Sequence, residues 1–512
     1  MVDTRYLLND EQIAQFITNG FLQLQTDFSE DFHKTVFQKI TERYATEGNP
    51  GNNLVARIPE IQLFFDHPTV KGALTSILGP DYVMHAHRHG HLNTGKNKAE
   101  QAGEKFVSPS IHSGGWHKDS YWGNARTRSH YPWSVMIFYY PHEVTEEMGA
   151  TGIMPGSQNR YNVLEALDDE LNFPVVGKAG TFALVDYDMW HRATANVSTI
   201  DRFMLKFIFF RLESPTQPTW NNERAEWQPP QQLLPVSSHP LVWENVWNWM
   251  SGSIGKHGPV DANADIAELE QKLYGSDESA ALNAAMELAA LGEKGIPALA
   301  KGLRHPEPGI EMYKSFSVAR LCAKALASAG KKALPALMEA LDAEYDNREV
   351  LGFIAFAIGE LREQASEAAP KLIALLQEES EFIRHHVVEA LGLIKQPTET
   401  IVPVLSELMN DPDQYVRFLA GLALARIGGD AAQAAVPALV QTLYDRTEPL
   451  NVPYLTQSNL KKDWDNDKGA RYASAIAAYA LERIGTKEAI REVLHFLQTA
   501  RWCPVTHSKS GF

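Results

Sequence analysis

Cysteine is nearly absent: Cys322 and Cys503 are the only two in 512 residues, and they lie far apart. Two such residues provide neither a disulfide framework nor a cysteine-rich zinc site, and a reducing compartment suits them. No uncharged run of about 18 apolar residues occurs, so no segment reads as a membrane span. The start, MVDTRYLLNDEQ, lacks a basic stretch followed by an apolar run and a small-residue cleavage site, which makes the cytoplasm the expected location. Positive charge is in deficit as well. Lysine and arginine number 47 against 63 aspartate and glutamate, a formal net charge of −16. That sign repels phosphate backbones and anionic lipid, so neither nucleic acid nor a membrane is an expected partner. What remains is an ordinary globular composition, 44% apolar and 21% charged, over a length that calls for two or three folding units.

The two halves differ. Nine of the eleven tryptophans precede residue 250, whereas the chain beyond 279 is rich in Ala, Leu and Glu. Between them Pro215, Pro218, Pro229, Pro230, Pro235 and Pro240 exclude regular helix or central strand, so 214–240 reads as an extended connector. Trp243, Val246, Trp247 and Met250 then fall at i, i+3, i+4 and i+7, one face of a short helix expected to pack on a domain.

The second half repeats itself. Pro297, Pro335, Pro370, Pro403 and Pro437 open segments such as GIPALAKGL and AVPALVQTL at spacings of 38, 35, 33 and 34. Each is predicted to sit in the first turn of a helix, where an N–H is spare anyway. Second helices follow, FIRHHVVEALGLI (382–394) and YVRFLAGLALARIG (415–428), with Arg384 and Arg417 in equivalent places, as are Leu391 and Leu424. Such helix pairs bury their apolar faces only by stacking. The pattern in NDPDQYVRFLAGLALARIG (410–428) resembles HEAT repeats, especially the short kind named after phycobilisome lyases. The resemblance covers about 279–500, apart from a non-repeating insertion near 445–468, and implies an α-solenoid.

The first half reads as a helical start followed by strands. NDEQIAQFITNGFLQL (9–24) offers Asn9 as N-cap, an apolar stripe of Ile13, Phe16 and Ile17, and Gly20 as the stop. The runs SVMIFYY (134–140), TFALV (181–185) and RFMLKFIFFRL (202–212) are rich in β-branched and aromatic residues, which suggests a two-sheet barrel or sandwich.

Within that half His117 and Asp119, in GGWHKDSYWG, stand two apart, so on a strand both project from one face toward one point. Alone this is weak, because with 18 histidines one His-x-Asp is expected by chance, and His305 with Glu307 makes a similar pair in a proline-marked turn. A third member raises it: His191 stands at the end of an apolar strand, with Arg202 opening the next. Two histidines and a carboxylate on one octahedral face are the ligand set of non-haem Fe(II) oxygenases, with three positions open for a bidentate co-substrate and O2. A guanidinium offers a planar two-bond fork to the far carboxylate of a keto diacid.

These residues, with EMGATGIMPGSQ (147–158) and the Gly-x-Phe-x-x-x-Asp lead into Trp190-His191, resemble the phytanoyl-CoA dioxygenase family of Fe(II)/2-oxoglutarate oxygenases over about 5–215. The resemblance implies a double-stranded β-helix, a jelly-roll barrel, with His117, Asp119 and His191 as catalytic metal ligands and Arg202 as the 2-oxoglutarate residue. It implies oxidative decarboxylation of the co-substrate to succinate and CO2 with oxidation of a substrate C–H bond. Related halogenases have a small residue at the place of Asp119, so hydroxylation is the expected outcome. Two positions depart from the family pattern: Ala193 stands where a hydroxyl residue is frequent, with Thr194 next to it, and Gln158 where many members have His.

The expected organisation is therefore a multidomain chain: a jelly-roll dioxygenase domain with flanking helices at 1–213, a Pro/Trp-rich connector at 214–278, a HEAT-like solenoid at 279–500 and a tail at 501–512. His85, His87, His89 and His91 share one strand face, as walls of the pocket or as a second, cupin-type metal site. His112, Tyr121, Trp122, Arg126 and Arg128 flank the metal motif, as a wall for an anionic substrate or as a solvated loop. Deoxyhypusine hydroxylase, a di-iron HEAT-repeat enzyme, uses adjacent His-Glu pairs, and none occurs in 279–512, where His385 and His386 are followed by Val. The repeats then read as a partner surface, a self-association interface or a lid over the barrel. The competing reading of the whole chain is a HEAT interaction protein with a catalytically silent jelly-roll module.

Overall fold

A computed structural model describes residues 2–46, 48–95, 115–119, 129–162, 171–235, 237–305, 317–444 and 468–499. Asn9 caps the helix Asp10–Asn19 as expected, its side chain accepting from the backbone of Gln12 while the Gln12 side chain accepts in return. Gly20, with φ of 81°, ends that helix and turns the chain into β1 (Phe21–Gln25). Four more helices, Glu30–Thr46, Leu54–Arg57, Glu60–Asp66 and Pro68–Leu78, precede β2 (Tyr82–Asn93). The strands that follow are β3 (Ser134–Tyr139), β4 (Thr151–Ile153), β5 (Phe173–Val175), β6 (Thr181–Asp186), β7 (His191–Ala193) and β8 (Arg202–Arg211). They form a five-stranded sheet ordered β1-β6-β3-β8-β2 and a three-stranded sheet ordered β5-β4-β7, both antiparallel.

Alternation along β8 assigns its two faces. Phe203, Phe207 and Phe209 meet helical aromatics, with Phe65 at 4.6 Å from Phe207 and Tyr44 at 5.1 Å from Phe203. Arg202, Met204, Lys206, Ile208 and Phe210 therefore point to the other face, toward the second sheet. The expected strands at 134–140, 181–185 and 202–212 form, but His117 and Asp119 lie on extended chain with a single isolated bridge at His117 and not on a strand. A second placement differs: His191 does not end the strand 181–186 but opens β7 in the other sheet. The cause is the turn at Asp186, whose side chain accepts from the Asp188 backbone at 2.8 Å and whose carbonyl accepts from Met189, so the chain crosses between sheets before reaching His191.

In the helical half Pro297, Pro335, Pro370 and Pro437 stand in the first turn of their helices, as their spacing predicts. Pro403 does not. Its helix, Thr398–Leu408, begins a turn and a half earlier, and Pro403 lies inside it. The lost bond falls on the exposed turn around Glu399, where water can take over, so the helix tolerates the proline. The helices Val350–Glu360, Glu381–Ile394 and Gln414–Ile427 stack in succession. Glycine lets their backbones touch: a Cβ at Gly359 would lie 2.7 Å from the Cα of Ala390. Residues 445–467 of the insertion and the tail 501–512 lie outside the described residues.

The stack does not stand apart from the barrel. One continuous apolar core runs from Leu8 to Ala489 and includes Trp243, Val246, Trp247 and Met250 of the helix Pro240–Met250. At its centre Trp133, just before β3, donates its indole N–H to the Glu360 carboxylate at 3.0 and 3.1 Å, and Ser129 donates to the same group at 3.0 Å. Arg426 covers the Trp133 ring at 5.0 Å and Arg362 the Trp249 ring at 4.9 Å. Phe418 and Tyr472 pack on His85 at 5.1 and 4.4 Å. Glu213 accepts from Lys395 at 2.7 Å and from Arg483.

Removing one partner of this buried seam should cost far more than its net value, because the others are left desolvated. Glu360→Ala is expected to lower stability by about 3 kcal/mol. Glu360→Gln, which keeps an acceptor for the indole, should lose less. Urea unfolding followed by tryptophan fluorescence reads both, and equal losses would show that the indole bond contributes nothing.

Candidate metal centre

The centre is built on backbone pairing between two loops. His117 donates its N–H to the His191 carbonyl at 3.0 Å, and His191 returns the bond at 3.1 Å, which brings the imidazoles to 4.3 Å between ring centres. Asp119, two residues on, emerges on the same side. Its Oδ1 lies 4.0 Å from His117 Nε2 and 3.9 Å from His191 Nε2. Among the described residues this is the group that brings three metal-ligating side chains together, all within 4.8 Å.

The local bonds set the protonation of each ring. His117 Nδ1 meets the Gly115 carbonyl at 3.0 Å and His191 Nδ1 the Met189 carbonyl at 3.1 Å, so each Nδ1 carries the proton and each Nε2 presents a lone pair. Burial holds the His191 pKa down at about 3, so the ring stays neutral. Its Nε2 is buried with no hydrogen-bond partner. Such an orphan acceptor facing a carboxylate fits a cation between them.

Asp119 is ionised. Burial would push its carboxyl up, but the Lys206 ammonium beside it, by charge and by hydrogen bond, holds it well below the carboxylate range. Lys206 Nζ donates to Asp119 Oδ2 at 2.7 Å, with the two side chains only 2% and 5% exposed. One carboxylate oxygen is thus engaged by lysine while the other faces the imidazoles. Sequence reading missed Lys206; its one signal was phase, since it shares the inward alternation of Arg202 and Met204.

Arg202 opens β8 on that same face. Its Nε and Nη2 both donate to the Gly149 carbonyl, at 3.0 and 2.7 Å, while Nη1 is buried without a partner. Gly149 has φ of 71°, and a Cβ there would come within 2.4 Å of Asn93 Nδ2, so only glycine lets its carbonyl reach the arginine. The free donor suits an anionic oxygen. Of the two departures, Ala193 offers no hydroxyl and its neighbour Thr194 spends its own on the Ala150 carbonyl at 2.7 Å, while Gln158 donates to the Ile17 carbonyl at 3.0 Å.

The histidine strand lines this chamber. His89 pairs with Lys206 and His91 with Met204 across β2 and β8, with 4.7 Å between the two rings. No convergence of three ligand atoms links these histidines among the described residues, which leaves the cupin-type reading without support. His305 stacks on Tyr274 at 4.9 Å, and Glu307 lies outside the described residues. His385 meets Asp413 at 2.7 Å and His386 the Phe382 carbonyl at 2.7 Å, contacts within the repeats. His112, Tyr121, Trp122, Arg126 and Arg128 also lie outside the described residues.

Comparison with known proteins agrees with this architecture. Residues 11–204 match the phytanoyl-CoA dioxygenase family and residues 369–451 match HEAT repeats. Uncharacterised proteins of Mycobacterium bovis and Mycobacterium tuberculosis are each 26% identical over 173 residues, 33% of this chain and 59% of theirs. The chain thus spans less than two thirds of these curated relatives. Among solved structures, the non-haem α-ketoglutarate-dependent carbocyclase SnoK from nogalamycin biosynthesis is 16% identical, covering 45% of this chain and 90% of its own, with a TM-score of 0.32. EctD from S. alaskensis is 15% identical over 42% of this chain and 81% of its own, also with a TM-score of 0.32.

Burial of the histidine strand carries a pH signature. His85 is held down at about 3 by desolvation, whereas a histidine in the unfolded chain protonates near 6.5. The unfolded state therefore binds the proton first, and the stability His85 contributes is complete above 6.5 and lost as pH falls toward about 3. Its share is up to about 1.4 kcal/mol per pH unit. His85→Phe keeps the packing on Phe418 and Tyr472, and should flatten that acid-side slope in urea titrations; an unchanged slope would refute the assignment. The chain thus combines a segment, 11–204, that matches the phytanoyl-CoA dioxygenase family model with a segment, 369–451, that matches HEAT repeats.

Proposed function

We propose that the chain is a 2-oxoglutarate-dependent Fe(II) dioxygenase that hydroxylates an unactivated C–H bond of a small or carrier-linked molecule, with His117, Asp119 and His191 as the iron ligands and Arg202 as the co-substrate anchor. The single observation that carries this is the conjunction of two aimed imidazole Nε2 atoms and an ionised carboxylate with the spare, buried Nη1 of Arg202. A recognition module without chemistry has no need of both. On this reading 1–213 is the oxygenase unit, 214–278 the connector and 279–500 the solenoid, and a reducing cytoplasmic setting suits the buried thiol of Cys322. Among the described residues no helix is long and apolar enough to cross a membrane.

His117, Asp119 and His191 would hold ferrous iron, whose chemistry there would be the activation of O2, the oxidant for both 2-oxoglutarate decarboxylation and the substrate C–H bond. The chain's own residues do the rest. His117 and His191 present their Nε2 atoms, and Asp119 adds one negative oxygen because Lys206 retains the other. Arg202, fixed by the Gly149 carbonyl, aims Nη1 at the remote carboxylate of the diacid. Phe138, 5.4 Å from His191, and the histidines of β2 help to bury His191 and Asp119, which strengthens the interactions of those two, whereas the His117 ring is exposed. Asp119 occupies the place a halide would need, which favours hydroxylation over halogenation.

The test is succinate release from 2-oxoglutarate with Fe(II) and ascorbate, comparing the wild type with His117→Ala and Arg202→Ala; equal rates in all three would reject the reading. Binding separates the roles. His117→Ala should lose iron affinity. Arg202→Ala should keep iron and weaken 2-oxoglutarate about 10- to 100-fold, the loss of a charged hydrogen bond.

Lys206→Met makes a separate prediction. Without the ammonium Asp119 is free to turn, and iron affinity should fall about 10- to 100-fold, as for other groups that orient a metal ligand. Lys206→Arg should restore part of it. Equilibrium competition with a metal chelator measures all three proteins, and an unchanged Lys206→Met would show that the ion pair does not orient the ligand.

A further inference from the structure

Three strands each bring one buried polar atom without a hydrogen-bond partner to the end of the barrel where the Gly149 carbonyl holds Arg202. They are Arg202 Nη1 from β8, Thr151 Oγ1 from β4 and His91 Nε2 from β2. Buried polar atoms are nearly always satisfied, so three at one end of a chamber point to a ligand.

Backbone geometry ties each of them to that carbonyl. Arg202 donates to it twice. Thr151 stands two residues after Gly149, is 2% exposed, and donates its own N–H to the Tyr140 hydroxyl at 3.2 Å. His91 stands two residues before Asn93 on the same face of β2, and Asn93 pairs with Arg202 across the strands while its Nδ2 donates to the Gly149 carbonyl at 3.4 Å. His91 is therefore one pleat from Arg202 in the direction of Lys206, and its ring feels both cations. Burial first, then Lys206, holds its pKa well below the ordinary histidine value, so the ring is neutral.

Register gives the threonine its meaning. In the antiparallel pair of β4 and β7, Thr151 stands opposite Ala193 and Ile153 opposite His191. Opposite residues share a face, and alternation puts Ala193 on the face of His191. The Thr151 side chain thus stands on the metal side, directly across from the position where a hydroxyl is frequent in the family and this chain has Ala193. Thr194 cannot stand in, because its hydroxyl is spent on the Ala150 carbonyl.

Building on the co-substrate reading above, we propose that Thr151 and His91 complete the anchor that Arg202 begins, Oγ1–H and Nε2–H donating to the remote carboxylate of 2-oxoglutarate. That carboxylate offers about four lone-pair sites, and the single spare N–H of Arg202 fills one. A hydroxyl hydrogen rotates to suit its acceptor, and a neutral imidazole can carry its proton on Nε2. The hydroxyl lost from β7 is then supplied by β4.

Calorimetry of the full chain loaded with Co(II) in place of iron tests this with two ligands: 2-oxoglutarate, and 2-oxobutyrate, which has the same keto-acid end and no remote carboxylate. Thr151→Val, which keeps the shape, and His91→Phe should each weaken 2-oxoglutarate about tenfold, the loss of a hydrogen bond to a charged group, while 2-oxobutyrate changes by less than about twofold. Thr151→Ser should bind 2-oxoglutarate as wild type does. Without ligand Thr151→Val should melt no lower than wild type, since its hydroxyl has no partner to lose, whereas a hydroxyl with a structural duty would lower the melting temperature. Wild-type affinity for 2-oxoglutarate in either Thr151→Val or His91→Phe, or an equal loss for 2-oxobutyrate, would overturn the proposal and leave the co-substrate reading standing. A wild type that binds no 2-oxoglutarate would reject that reading, and the anchor with it.

Discussion

Two reciprocal backbone hydrogen bonds between His117 and His191 are the constraint on which the candidate centre depends. They join segments more than seventy residues apart and fix both rings before any side chain is considered. Asp119 then falls on the same side by the two-residue alternation of extended chain, and the Nδ1 bonds to Gly115 and Met189 aim both Nε2 atoms inward. Side-chain geometry here is a consequence of backbone pairing, and the pairing in turn needs the turn at Asp186 that carries the chain from one sheet to the other.

The repeats belong to the same physical object. A shared core, the Trp133–Glu360 bond and the packing of Phe418 and Tyr472 on His85 make the solenoid a wall of the barrel. A separate interaction module would carry a polar linker and a modest, wet interface. Here the connector, largely exposed along 221–233, is tied to the core by its tryptophans: Trp220 and Trp227 pack on Trp247 at 5.2 and 5.8 Å. Sequence alone left the repeats as a partner surface, a self-association interface or a lid over the barrel; their direct contacts brace it.

How much of this was legible follows from what kind of signal each feature leaves. Local rules found Asn9 as cap, Gly20 as stop and the proline-led helices, because these depend on a few neighbouring residues. The metal set was legible because His117 and Asp119 keep strand phase and His191 and Arg202 keep their spacing. Pro403 was misplaced because its helix starts on the TETI turn, where no strong cap marks the boundary. Lys206 and Glu360 escaped because their partners, Asp119 and Trp133, are 87 and 227 residues away, and nothing local distinguishes a lysine in an apolar strand that meets a carboxylate from one that does not.

The buried cations form a graded series that shows what the fold has solved and how. Lys206 is neutralised by Asp119 at 2.7 Å, so its charge serves the centre. Arg202 has no acid but spends two donors on one carbonyl, which leaves a directed third. Arg426 lies 3.9 Å from Glu389 and covers Trp133, and Arg362 covers Trp249 beside the buried Glu360, so indole faces and carboxylates divide the work at the seam. Lys324 meets the Tyr161 face at 4.6 Å with Asp188 and Glu278 as its opposite charges, which offset only part of the burial that pushes its pKa well below the ordinary lysine value.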